Sequence, residues 1–311
     1  MSPQDSGPGS WRVRAVRPDD ADGVAALVDD GSDPLFVAQD HRLHGPPRDG
    51  RAWRRTLVAE HQGRVIGAVT AARNPLHPGR YRLAVEVARD VRRRGVAGSL
   101  VAAAGRIRAE PLPFAAKIRP ADPAATAFLA KLGGRAYQSC PGLRPDPAAA
   151  ELRRWCQDRP VPAGLAIRQL TDRSDWSEAD WTRWWIGQYL WVHRGWSPAD
   201  PGVLAEEASM MLADLDPDLT TVAWRADGAD AIAWVFREGP GAVTVVAETV
   251  RPSVADGTAA VRAALARCLL GLAAAGIALV ELDGHDTDPH LAPVLRTLPP
   301  GSASPLLLVE F

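Results

Sequence analysis

The passage from Leu83 to Leu100 constrains this chain most. Apolar residues alternate at Leu83, Val85 and Val87, the period of a half-buried strand, and then fall at Val96, Leu100, Ala103 and Ile107, the spacing of one helical face. Between these patterns lies Val91-Arg92-Arg93-Arg94-Gly95-Val96-Ala97-Gly98-Ser99, with small residues at positions 95, 97 and 98. A helix N-terminus offers unpaired N–H groups and the positive end of its dipole to an anion. Bulky side chains would block that approach, so the pattern predicts a strand–loop–helix cradle for a pyrophosphate. It is not a Walker loop, because no Gly-Lys-Ser/Thr follows. Nor is it a dinucleotide fingerprint, because Leu100 takes the place of the third glycine.

The surrounding elements alternate in type. Trp11 to Val16 reads as an edge strand, and apolar positions at Ala21, Val24, Ala25 and Val28 read as a helix after Pro18-Asp19-Asp20. Asp30 to Gly50 reads as a loop rich in Pro and Gly, and Thr56 to Glu60 and Arg64 to Ala72 as a hairpin through His61-Gln62-Gly63. Phe114 to Ile118 is a short strand, and Ala124 to Leu132 a helix stopped by Gly133-Gly134. The layout is α/β, a mixed, mostly antiparallel central sheet with helices on both faces. Prolines 145, 147, 160 and 162 flank a short helix, Ala148 to Cys156, and mark a linker over 145–164 between domains at 11–144 and 165–311. From Ala166 the same order recurs, so the second half reads as a diverged copy of the first.

Bulk properties narrow the partners. With 36 Lys and Arg against 37 Asp and Glu the net charge is -1. This lacks the basic footprint of a nucleic-acid binder and favours a small molecule. Only Lys117 and Lys131 are lysines, so arginine clusters carry less meaning here than elsewhere. Cys140, Cys156 and Cys268 are widely spaced and odd in number, which fits a reducing compartment. Residues 1–10 read as a flexible tail without the pattern of a signal peptide. The apolar run Ala263 to Leu282 is broken by Arg267, Gly271, Gly276 and Glu281, short of a membrane span. These features lead us to expect a cytoplasmic protein with no membrane partner. They leave its oligomeric state open.

Arg92-x-x-Gly95-x-Ala97 after a strand ending in Val87 resembles the Arg/Gln-x-x-Gly-x-Gly/Ala signature of the GCN5-related N-acetyltransferase (GNAT) family. Asp122-Pro123 to Gly133, ending in Leu132-Gly133-Gly134, resembles that family's later helix. The resemblance covers residues 11 to 140 and, more weakly, 165 to 311, which implies a tandem form. It implies acetyl-CoA as co-substrate, no metal, and a V-shaped opening between the fourth and fifth strands. The pantetheine arm would pair there with the backbone of Val85 and Val87. The pyrophosphate would lie on Arg94, Gly95, Val96, Ala97, Gly98 and Ser99, beside Arg92 and Arg93. For any one of the three arginine side chains, a solvated turn is an equal reading.

Amine acylation needs a base for the incoming ammonium and an acid for the departing thiolate. Glu86, on the opposite strand face from Val85 and Val87, is the first candidate base, against an ordinary exposed strand residue. The tyrosine that many relatives carry before the helix-ending glycine is Leu129 here, which leaves Tyr137 and Tyr81 as alternative acids. In the second half the matching turn is Val250 to Ala259. Gly257 and Ala259 keep the spacing, but Val254 replaces the Arg or Gln and Asp256 brings negative charge, so this second cradle reads as degenerate. Glu248 or His285 is the candidate to face the amine there. Glu281, Asp283, His285, Asp286, Asp288 and His290 match no standard zinc spacing and also read as a solvated loop.

Eight of the eleven tryptophans lie between Trp176 and Trp234. They read as core or as an aromatic wall lined by Trp191, His193, Arg194 and Trp196. The expected activity is acetyl transfer to the primary amine of a small molecule. The competing readings are a non-catalytic acyl-CoA sensor with a C-terminal interaction module, and an enzyme whose working domain is the second.

Overall fold

The computed structural model describes residues 11–30, 33–158, 161–172, 176–251 and 253–311. The expected tail at 1–10 lies outside them, as does Pro252 of the second turn. The chain forms two compact units, one running to Ala116 and including Glu310–Phe311, the other Lys117–Val309.

In the first unit, β1 (Arg12–Ala15), β2 (Arg54–His61), β3 (Arg64–Arg73) and β4 (Tyr81–Val87) form antiparallel neighbours, and β5 (Phe114–Ile118) is parallel to β4. Gln62 and Gly63, at φ 49° and 79°, make the two-residue hairpin turn whose left-handed residues match strand twist. Helix α1 (Ala21–Asp29) sets Val24 and Leu27 against Val58 and Ala68 on one sheet face. Helix α3 (Val96–Ile107) covers the other face. A Cβ on Gly67 would stand 3.0 Å from both Leu100 and Val96, so only glycine lets α3 sit this close.

Two features depart from the sequence reading. The expected loop at 30–50 contains helix α2 (Pro34–Leu43), started by Asp33, whose carboxylate accepts from Leu35 N–H at 2.9 Å, with Pro34 in the first turn. Its weak apolar stripe left no helical period to read. The last two residues also join the first unit: Phe114 and Phe311 exchange both backbone hydrogen bonds, at 2.9 and 3.0 Å.

The second unit's larger sheet runs in the order β13 (Ser302–Ala303), β7 (Leu143–Arg144), β12 (Leu279–Asp283), β11 (Ala242–Thr249), β10 (Gly228–Gly239), β9 (Thr221–Arg225), β8 (Ala166–Gln169). Within the same unit fall β6 (Arg135–Cys140) and most of β14 (Leu306–Glu310). The unit also holds helix α4 (Pro123–Lys131). Helix α8 (Gly257–Ala274) is long and apolar enough to cross a membrane by length and composition. Its Ala260, Val261, Ala264, Leu265 and Leu269 lie in the unit's core beside Ala233, Val235 and Val245. The stretch read as a linker holds helix α5 (Ala150–Gln157), whose Leu152 and Trp155 belong to that core. Its flanking prolines bound a packed helix.

The rings of Phe114 and Phe311 lie 5.8 Å apart. Phe311→Ala is expected to lower the stability of the first unit by about 2 kcal/mol in urea unfolding. An unchanged midpoint would show that this closure contributes nothing.

Candidate active site

The first unit's site begins with a gap in hydrogen bonding. Strand β4 pairs with β5 only at Tyr81–Phe114 and Arg82–Ala115, whereas its other edge pairs with β3 along its whole length, from Tyr81–Arg73 to Val87–Gly67. Among the described residues, Leu83 to Val87 therefore have no ladder partner on the β5 side. Backbone groups need a partner when water is excluded. This is the opening anticipated between strands four and five.

The chain then turns into α3. Arg93 and Gly95 take left-handed conformations, φ 65° and 94°, and Gly95 stands at the helix start where no side chain caps it. Ser99 N–H closes the first turn on Gly95 O at 3.0 Å, and the N–H groups before it have no acceptor inside the helix. A Cβ on Gly98 would meet nothing within 4 Å. The arginines divide: Arg92 folds back, its Nε–H donating to Val87 O at 2.9 Å, while Arg93 and Arg94 are exposed. Arg92 thus braces the strand end, and the cradle itself is backbone.

At the end of the same strand Glu86 meets a residue that the sequence did not suggest. Asp40, from α2, stands beside the Glu86 carboxyl, and the two groups act on one another. Two neighbouring carboxyl groups disfavour being charged together. Burial, then the charge of Asp40, pushes Glu86 up to about 8, with Arg92 opposing. Burial also raises Asp40, opposed by Glu86 and by Arg82 and His41. Each acid is thus held above the ordinary carboxyl range, Glu86 the more clearly.

His44 follows α2 and serves the same sheet face. In register, Thr70 lies opposite Ala84, two residues from Glu86, and opposite Thr56. Thr56 Oγ1 donates to Gly45 O at 3.1 Å, Thr70 Oγ1 lies 2.8 Å from Thr56 Oγ1, and His44 Nδ1 lies 2.7 Å from Thr70 Oγ1. With the Thr56 proton spent on Gly45, Thr70 donates to Thr56 and His44 Nδ1–H donates to Thr70. Nε2 is then a bare acceptor, buried and without a partner among the described residues. Burial, helped by the charges of His41 and Arg54, holds this imidazole down at about 4, so it stays neutral.

The second unit repeats the plan and closes it. Glu248 stands nine residues before Gly257, as Glu86 does before Gly95, and lies opposite Ile232 as Glu86 lies opposite Ala68. Here the parallel pair β11–β12 continues for five residues, to Val246–Asp283. The helix start is filled: a Cβ on Gly257 would fall 2.5 Å from the His290 ring. His290 Nδ1 lies 3.0 Å from Thr249 Oγ1, and its ring stacks on Trp191 at 5.2 Å. The second cradle is plugged by an imidazole. Glu248 itself is 4 % exposed and bonded to Gln188, which accepts from Trp234 Nε1 at 2.7 Å.

Tyr81 is fully buried, and its hydroxyl accepts from Glu110 N–H at 3.0 Å. Tyr137 lies on β6 with its ring 6.2 Å from Trp196, in the second unit, whereas Glu86 belongs to the first. The tryptophan stripe divides likewise. Trp176, Trp185 and Trp234 are core, while His193 and Trp196 join His285 in a separate ring cluster. Among the described residues no three His, Cys, Asp or Glu side chains are grouped to hold a metal.

Comparison with known proteins agrees with this geometry. Residues 26–133 match the acetyltransferase (GNAT) family model. A GCN5-related N-acetyltransferase from Sphaerobacter thermophilus superposes with a TM-score of 0.58 at 16% identity, covering 97% of this chain and 95% of that one. A tandem GNAT protein from the clavulanic acid biosynthesis pathway gives 0.55 at 18%, covering 97% and 98%. A glucosamine N-acetyltransferase region of a fungal multi-domain enzyme gives 0.61 at 16%, covering 98% of this chain and 38% of that one. No curated protein matches the sequence. Residues 26–133 are thus similar to the GNAT acetyltransferase domain. They lie in a chain whose fold matches a tandem GNAT protein over nearly its whole length.

Gly98→Asp separates stability from binding. Replacing glycine near a helix start with an acidic residue favours the helix by a few tenths of a kcal/mol, yet sets a carboxylate in the cradle. Thermal stability is expected to hold or rise while coenzyme A affinity, measured by calorimetry, falls at least about tenfold. Unchanged affinity would place the pyrophosphate elsewhere.

Proposed function

We propose that the chain is an acyl-CoA-dependent N-acyltransferase that moves an acetyl group from acetyl-CoA to the primary amine of a small molecule. The observation that carries this reading is the meeting, at the end of one strand, of an unpaired edge, an uncapped helix start and two neighbouring half-buried carboxyl groups. The open N–H groups of α3 suit a pyrophosphate, and the free β4 edge suits the amide-bearing arm of the coenzyme. Glu86 and Asp40, the latter on α2, are both half-buried, an approach that fits a compact amine better than a folded surface. The setting we propose is the cytoplasm.

The amine arrives as an ammonium, and ionised Glu86 takes a proton from it. The freed nitrogen attacks the thioester carbonyl carbon, the C–N bond forms, and the C–S bond then breaks to release the thiolate. The neutral His44 Nε2 offers an acceptor on the same face for an N–H of the amine. With Tyr81 fully buried and Leu129 in the place of the usual tyrosine, the proton for the thiolate comes from the carboxyl pair or from solvent.

Only ionised Glu86 can accept the proton. Its raised pKa makes kcat/KM climb with pH and level above about 8. Asp40→Asn removes the neighbouring charge, so for the same amine the inflection should move to lower pH. Glu86→Gln should lower thiol release from acetyl-CoA by about 100-fold or more with coenzyme affinity kept. A pH profile unmoved by Asp40→Asn would contradict the role of the pair. Coenzyme binding without thiol release over a wide amine panel would favour the sensor.

A further inference from the structure

The second unit keeps the acidic half of such a site after losing the phosphate half. Glu248 occupies the strand position of Glu86, and its burial is nearly complete. Asp288, 2 % exposed, spends Oδ1 on the N–H groups of His290 and Leu291 at 2.7 and 2.8 Å, while Oδ2 is buried without a partner among the described residues. Asp288 and exposed Asp283 both act on Glu248, and after burial they are what raises it well above the ordinary carboxyl range. The same two acids act on His285, whose Nδ1 is likewise buried and unpartnered among the described residues.

Glu248 acts on Tyr189, and Asp288 on His285 with Lys117 opposing it, and these two rings belong to one continuous series. Tyr189 stacks on His193 at 4.0 Å, His193 meets Trp196 at 4.8 Å and His285 at 5.4 Å, and Trp196 meets His285 at 4.7 Å. A buried carboxylate oxygen without a donor is costly, and ring faces attract cations. The two features ask for the same ligand, a positively charged group with N–H donors. A phosphate-bearing ligand is disfavoured because the His290 ring fills the helix start. An inorganic ion is disfavoured because the described residues offer no three-ligand group.

We propose that the second unit carries a small-molecule site for an organic ammonium. The ammonium is held by Asp288 and Glu248, and its carbon skeleton lies against Tyr189, His193, Trp196 and His285. Exposed Asp283 marks its rim. This site stands on residues of the second unit alone and does not depend on the transferase reading. The observed closure of the second cradle makes it a binding site without a donor.

The test uses the full chain and benzylammonium as probe, with benzyl alcohol as the uncharged control. Indole N–H resonances of Trp191 and Trp196 are followed by NMR and assigned with Trp191→Phe and Trp196→Phe. Benzylammonium should shift the Trp196 resonance saturably and the alcohol should not. Asp288→Asn keeps the Oδ1 cap and should weaken binding at least about tenfold, the loss of one charged hydrogen bond. Glu248→Gln, which retains the contact with Gln188, should weaken it as well and serves if Asp288→Asn folds poorly. The proposal is overturned if no shift appears at Trp196, if the alcohol binds equally, or if folded variants bind with unchanged affinity.

Discussion

The divergence of β4 from β5 after Arg82 is the constraint on which the site depends. Parallel strands that stayed paired would satisfy one another along the whole edge and leave nothing for a ligand to complete. Because pairing stops at Arg82–Ala115, the backbone from Leu83 to Val87 lines an opening, and the turn that follows brings the start of α3 to its end. Glu86 then falls at that opening by strand alternation, opposite in direction to Val85 and Val87. Gly67, which admits α3 closely against the other sheet face, fixes the helix that supplies the N–H groups.

The second unit shows what the same plan becomes when the constraint is relaxed. Its parallel pair holds for five residues, the helix start is stoppered by His290, and the left-handed residue at the turn is Asp256, at φ 60°, rather than glycine. The acid at the strand end persists, now buried beside Gln188. Donor binding and acid placement are therefore separable parts of this fold, carried by different elements. One can be lost while the other stays.

Much of the first unit could be read from the sequence because its signals are local. Strand alternation at Leu83, Val85 and Val87, small residues at 95, 97 and 98, and the Phe114 to Ile118 run each report on their immediate neighbours. Glu86 was legible for the same reason. Asp40 was not: it lies on a helix without a strong apolar stripe, inside a segment rich in Gly and Pro, and meets Glu86 across 46 positions. His44 was hidden likewise, since its role comes from the chain of Thr70 and Thr56 hydroxyls that only the β2–β3 register assembles. The degeneracy of the second cradle was visible in Val254 and Asp256, whereas its plug, His290, comes from 33 residues beyond Gly257. Of the arginine run, Arg92 donates to the strand end at Val87, a contact that the sequence pattern does not report.

The central claim is that one coenzyme cradle is open and the other closed. Calorimetric titration of the full chain with coenzyme A tests it most directly. The account predicts a single site per chain, lost in Gly95→Glu, where a bulky acid would occupy the left-handed helix start. Two equivalent sites, or unchanged binding in Gly95→Glu, would contradict it.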